Sequence, residues 1–225
     1  MRIAKAISEA GICSRRDAEK LILQGRVSIN GTLLESPAIN VTDNDLITID
    51  GKELPKKNPL RIWLYYKPTG VITTHKDPQN RPTVFSLLPK NMPKVISVGR
   101  LDIMSEGLLI LTNSGEYSRR LELPSSNIKR VYHVHCYGVL DFDLLSKTTQ
   151  GITIKKEYFK PTRIEIISTK NNNHIIEIEL TEGKNREIRK IFANFDLKIK
   201  KLLRIQYGDF KLGNLKPGEI LEIAC

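Results

Sequence analysis

Apolar residues recur at helical spacing at the start of the chain, where Ile3, Ala6, Ile7 and Ala10 share one face. Gly11 interrupts that stripe. A second stripe, Ala18, Leu21 and Ile22, follows Ser14, a helix-capping residue with Asp17 three positions on as the capping-box acid. Gly25 ends it. The period then changes. Val27 and Ile29 alternate with polar residues and run into Asn30-Gly31, a strong hairpin signal. A short strand over 46–49 closes the unit. The pattern predicts two helices and a small sheet within 1–55. Leu54-Pro55-Lys56-Lys57-Asn58-Pro59 is polar and proline-containing, and reads as a linker, set at 56–60.

Beyond it, the larger domain at 61–225 alternates apolar and polar residues in several runs. Strands are predicted over 61–67, 95–98, 108–112, 131–137, 163–167 and 175–180. Short connections with Gly or Asn favour antiparallel pairing. The clearest helix here is 184–195. Ile188, Ile191, Phe192 and Phe195 follow i, i+3, i+4, i+7, and Arg186, Arg189 and Lys190 take another face. The fold class is α+β: a small domain, then a mixed, mostly antiparallel sheet with flanking helices.

With 225 residues, 40% of them hydrophobic, the chain can bury a proper core. No run of eighteen apolar residues exists, and residues 1–12 lack a signal-peptide core. A cytoplasmic protein with no membrane contact is expected. Cys13, Cys136 and Cys225 are scattered, and suggest neither a disulfide framework nor a metal site. His133 and His135 stand two apart on one strand face, half of a metal site. No third ligand has suitable spacing, so exposed or satisfied histidines are expected.

The net charge is +11, which favours polyanionic partners. Residues 1–55 hold seven Lys/Arg and eight Asp/Glu, a net of −1, and 56–225 the remaining 29 and 17, a net of +12. Arg15, Arg16, Lys20 and Arg26 nevertheless cluster around the second helix, with the acids later in the domain.

The chemistry centres on Gly99-Arg100-Leu101-Asp102-Ile103-Met104-Ser105-Glu106-Gly107, between two apolar strands. Such a loop can present an acid into a cleft. Spacing alone leaves Asp102 either a catalytic carboxylate or a turn aspartate paired with a nearby arginine, and favours the second.

Resemblance changes that balance. Ser14-Arg15-Arg16-Asp17-Ala18-Glu19 and Gly25-Arg26-Val27-Ser28-Ile29-Asn30-Gly31 resemble the S4 RNA-binding domain. Gly99 to Asn113 resembles the signature of the RsuA/RluB-type pseudouridine synthases, in which the aspartate of Gly-Arg-Leu-Asp is essential. Lys67-Pro68-Thr69-Gly70, Lys129-Arg130-Val131-Tyr132, the segment from Glu182 to Lys190 and the block from Leu202 to Gly208 are similar to further family motifs, in the family's order.

The resemblance implies an enzyme that turns uridine into pseudouridine in ribosomal RNA, without metal or organic cofactor. Asp102 would be its catalytic carboxylate, Arg189 the guanidinium that holds it, and Tyr132 the residue against the flipped base. Tyr132 shares a strand face with Val134 and Cys136, which suits an inward position. Leu202 would pack near the base, and Arg100 fill the space the base leaves. Lys184 and Arg186 belong to the substrate-binding segment, and the loop 73–81, with His75, Lys76, Asp77 and Arg81, to one that approaches RNA. Arg15, Arg16, Lys20 and Arg26 would anchor RNA. The detail of 105–107 and 185–189 favours 23S over 16S rRNA, met in ribosome biogenesis and possible within a pre-ribosomal particle. A monomer is expected. The rival from another class is a non-catalytic S4-type ribosome-assembly factor.

Overall fold

The structure is a computed structural model that describes residues 1–55, 58–160 and 162–224. Lys56 and Lys57 of the expected linker, and Cys225, lie outside the described residues.

The N-terminal unit holds helices α1 (Ile3–Glu9) and α2 (Arg15–Leu23), then strands β1 (Val27–Ile29), β2 (Thr32–Leu33), β3 (Ile47–Ile49) and β4 (Lys52–Glu53). The strands pair antiparallel in the order β2-β1-β3-β4. Ile3, Ile7, Ala18 and Ile22 of the two stripes meet Val27 and Ile47 in one buried core. Asn30 and Gly31 both take positive φ, 50° and 84°, as a type I′ hairpin requires. Asp50-Gly51 repeats this between β3 and β4 with φ of 50° and 75°. At α2, Ser14 Oγ accepts the Asp17 N–H at 3.2 Å, and its hydroxyl donates to the Asp17 carboxylate at 2.6 Å. Asp17 therefore meets the cap's hydroxyl, where the expected box has the acid meeting the cap's backbone N–H.

The larger unit opens with β5 (Ile62–Lys67), β6 (Ile96–Val98), β7 (Glu106–Thr112), α3 (Gly115–Glu122) and β8 (Arg130–Tyr137). Next come α4 (Phe142–Ser146), β9 (Ile152–Ile154), β10 (Glu157–Phe159), β11 (Arg163–Lys170) and β12 (Asn173–Leu180). It ends with α5 (Glu187–Asn194), β13 (Lys198–Tyr207), β14 (Phe210–Lys211) and β15 (Ile220–Ile223). Nine strands form one sheet, β11-β12-β8-β13-β7-β5-β15, with β14 on β13 and β6 on β7. Its pairings are antiparallel except β13 with β7, where Leu203 and Arg204 run parallel to Glu106 and Gly107. This is the mixed, mostly antiparallel sheet of an α+β protein.

The inward faces of β8 and β12, with Val134, Cys136, Ile176 and Ile178, pack against Ile188, Ile191 and Phe192 of α5. β5 and β7 are buried along their whole length and carry core on both faces. Leu101, one residue before Asp102, is anchored in one of those cores with Trp63, Tyr65, Leu109 and Leu111.

The helix expected over 184–195 is shorter at its start. It begins at Glu187, not 184, because Arg186 is left-handed at φ 52° and ends the preceding loop. The sheet also contains β13, which alternation did not reveal. Register shifts between Ile199 and Lys201, and between Arg204 and Gln206, break its period of two. No described helix is long and apolar enough to cross a membrane.

Candidate active site

The loop between β6 and β7 faces the turn between β12 and α5 across a cleft of about 740 Å³. Its walls and floor include Arg100, Asp102, Tyr132, Lys184, Arg186, Arg189 and Leu202. The structure thus gathers the seven residues expected to act in catalysis or substrate binding, but not the loop 73–81, which lines no part of this cleft.

The loop is fastened from below. Lys67, at the end of β5, is fully buried, and its ammonium donates to three carbonyl oxygens: Pro68 at 2.9 Å, Asp102 at 3.2 Å and Ser105 at 2.8 Å. Burial pushes this ammonium down to about 8, against the pull of Asp102 and Glu106. The Thr73 hydroxyl donates to the Leu101 carbonyl at 3.0 Å, and the Gly70 N–H to that of Ile103 at 2.8 Å. With its backbone held at these points, Asp102 presents a carboxylate 35% exposed to the cleft.

The guanidinium nearest that carboxylate is Arg186, with Nη1 3.9 Å from Asp102 Oδ2. The pairing expected of Arg189 is therefore made by Arg186. Arg189 instead donates from Nη2 to the Met104 carbonyl at 2.8 Å and to the Ser105 hydroxyl at 3.4 Å, clamping the loop from above. Burial, then the charge of Arg186, push its guanidinium below the usual value, and Asp102 opposes them. One geometric reason lies in α5. Arg186 precedes the helix in a left-handed conformation, whereas Arg189 sits on its first turn.

Tyr132 and Leu202 belong to the neighbouring strands β8 and β13. Leu202 lies opposite Val134, in the core that α5 covers, and Tyr132 packs against the same cluster. Arg100 is an exposed member of the β6–β7 loop. Lys184 is already engaged: its ammonium bonds the Tyr158 carbonyl and lies 3.2 Å from Glu182. In the loop 73–81, Arg81 forms a forked pair with Asp77 at 3.0 and 2.6 Å, and His75 stacks on Phe85. In the N-terminal unit, Arg15 and Arg16 are exposed, with no ion pair to a described residue. Lys20 pairs with Asp17 at 3.4 Å and Arg26 with Asp50 at 2.9 and 2.5 Å. His133 faces Glu177 at 3.2 Å. Among the described residues no three His, Cys, Asp or Glu cluster as a metal site.

Arg204 and Arg130, in the same cleft, were not singled out. Arg204 is 2% exposed, donates from Nε to the Leu108 carbonyl at 2.8 Å, and lies 5.0 Å over the Tyr207 ring. Arg130 lies over that ring at 4.8 Å and donates to the Thr181 carbonyl at 3.1 Å. A signal existed for Arg204, a lone charge within the apolar block 202–205.

The chain is similar to known proteins over nearly its whole length. Residues 61–194 match the family model described as RNA pseudouridylate synthase, and 1–47 that of the S4 domain. A Rickettsia bellii (strain RML369-C) protein, described as an uncharacterized RNA pseudouridine synthase, is 52% identical over 222 residues, covering 99% of this chain and 96% of its own. The ribosomal large subunit pseudouridine synthase B of Bacillus subtilis (strain 168) is 34% identical, covering 99% of this chain and 91% of its own. A solved pseudouridylate synthase superposes with a TM-score of 0.70 at 27% identity, over 100% of this chain and 96% of that one. The chain belongs to the RNA pseudouridylate synthase family, as a member with an S4 domain at its N-terminus.

Proposed function

We propose that this pseudouridine synthase acts on a uridine of 23S ribosomal RNA, and that Asp102 is the carboxylate that drives the reaction. The observation that carries the assignment is Asp102 itself: a carboxylate facing the cleft, on a loop pinned by Lys67 and Arg189 and beside the Arg186 guanidinium. The Bacillus subtilis relative, a large-subunit synthase, supports the choice of RNA. The cytoplasm, where ribosomal RNA is assembled into particles, is the proposed place of action.

The reaction breaks the N1–C1′ bond of uridine and forms a C5–C1′ bond. C5 gives up its proton and N1 takes one, so substrate and product contain the same atoms. The base must first leave its stack, which costs a few kcal/mol. Tyr132 offers a ring at the cleft floor and Leu202 an apolar surface beside it. Arg100, exposed on the loop itself, would enter the vacated stack. Arg186 balances the Asp102 charge as RNA displaces water from the cleft.

The test is pseudouridine mapping of ribosomal RNA in cells lacking the protein. One 23S site is expected to vanish, to return with the wild type, and to stay absent with Asp102→Asn. Restoration by Asp102→Asn would remove the catalytic role and favour an RNA-binding assembly factor. Loss of a 16S site would change the substrate.

A further inference from the structure

The reaction above makes no use of two carboxyl groups in the cleft wall, Glu182 and Glu187. Glu187 opens α5 and is 3% exposed. Its Oε2 accepts the Lys184 N–H at 3.1 Å, while its Oε1 is buried with no donor among the described residues. Beside it, within hydrogen-bonding reach, is the carboxyl of Glu182. Glu182 is the better supplied of the two. Its Oε1 accepts the Lys160 N–H at 2.7 Å, and its Oε2 lies 3.2 Å from the Lys184 ammonium.

Two adjacent carboxylates in a partly dry site do not both ionise without cost, and they titrate as a pair. The surroundings divide the roles. Burial opposes charge on Glu182, but the Lys160 N–H and the Lys184 ammonium outweigh it and hold that carboxyl below the usual range. Burial, then the Glu182 charge, push Glu187 up to about 7. Other nearby charges are spoken for. Arg186 turns to Asp102 and Arg189 to Met104, Lys190 pairs with Glu157 at 2.6 Å, and Arg130 donates to the Thr181 carbonyl and the Tyr207 hydroxyl.

We propose that Glu187 works as a neutral carboxylic acid that donates its proton to Glu182, and that this shared proton sets the 182–186 turn that brings Arg186 to Asp102. Glu187 is thus a positioning residue, one step removed from the substrate. Its catalytic consequence rests on the role proposed for Asp102; the shared proton does not. Ionised, Glu187 would repel Glu182 and lose the link between the turn and the helix start.

Two measurements on the full-length protein test this. The first follows glutamate side-chain carboxyl carbons by NMR through a pH titration. One carboxyl is expected to titrate near neutrality and to be absent from Glu187→Gln; ordinary acidic titration of every glutamate would overturn the shared proton. The second is single-turnover pseudouridine formation between about pH 6 and about 8, the range in which an acid of this kind sets a limb. Wild-type rate is expected to fall several-fold across that range. Glu187→Gln keeps an N–H donor for Glu182 and cannot ionise, so its rate is expected to lose the limb near neutrality and to keep only the decline that Lys67 brings toward about pH 8. Glu187→Ala, with no donor, is expected to be slow throughout; should it fail to fold, the glutamine variant still decides. Superimposable wild-type and glutamine profiles would overturn the positioning role. A wild type inactive on ribosomal RNA would overturn the proposed function, with the titration still reading the pair.

Discussion

Gly107 stands where the sheet is tightest. Its φ is +100°, and a Cβ there would lie 2.3 Å from the Arg204 carbonyl oxygen and 2.7 Å from a methyl of Leu203. Both contacts belong to β13, the strand that runs parallel to β7 at this point. Only a residue without a side chain lets the two backbones approach so closely, and that approach brings Arg204 to the wall shared with Asp102. Gly107→Ala combines a forbidden contact with strained φ, and is expected to cost about 3 kcal/mol or more. A thermal or urea melt checks it. A variant as stable as the wild type would mean that β7 and β13 separate here without loss.

At the scale of elements, the decisive piece is the loop between β6 and β7 rather than any strand. Lys67 uses its ammonium on three carbonyls, two of them within that loop. Lys67→Met keeps the buried stem but leaves those acceptors without their donor. Each orphaned acceptor costs about 1–3 kcal/mol, part of which is recovered because a buried charge disappears. A loss of about 2 kcal/mol in stability is expected, with a fall in kcat of tenfold or more and a smaller change in KM. Thermal melts and single-turnover rates measure the two effects; an unchanged kcat would mean that Thr73 and Arg189 suffice to hold the loop. The sequence shows this element only in part. The loop, its flanking strands and the α5 stripe were legible because apolar period marks them. The seven cleft residues came from family resemblance, since spacing alone favoured a turn aspartate at 102. Lys67 stands in a matched motif, but its role is not legible there, because a lysine ending a strand looks the same whether buried or solvated. The structure sets the Arg186 guanidinium nearest Asp102 and Arg189, expected there, on the backbone of the same loop, an arrangement fixed by one left-handed residue that no periodicity encodes. β13 was hidden by two shifts of register within a lysine-rich strand.

For the whole molecule the question is how a unit of net charge −1 serves RNA binding beside one of +12. Sorting its cations by pairing gives an answer. Lys20 and Arg26 are held by Asp17 and Asp50, whereas Arg15 and Arg16 are exposed at the start of α2 without ion pairs to described residues. That end of α2 also adjoins the larger unit. Lys76 acts electrostatically on Asp17 and Lys94 on Cys13, Lys5 lies 3.9 Å from Glu116, and Arg15 stands near Gly115. Arg15 and Arg16 are therefore expected to extend the positive surface of the synthase domain, and Lys20 and Arg26 to be held back by the acids of their own domain. Each phosphate neutralised adds about 0.7 to 0.9 to the salt dependence of binding, depending on whether the RNA is single- or double-stranded. The Arg15→Ala, Arg16→Ala double variant is expected to lower that slope by about 1.4 to 1.8 and to weaken RNA binding about tenfold, with kcat at saturating RNA unchanged. The Lys20→Ala, Arg26→Ala double variant removes the same formal charge from pairs that are already neutral, so its slope should change little while its melting temperature falls. Titration of binding against salt for both variants separates the two pairs. Equal loss of slope would show that ion pairing within the domain does not decide which cations meet RNA, and that RNA displaces Asp17 and Asp50 from theirs.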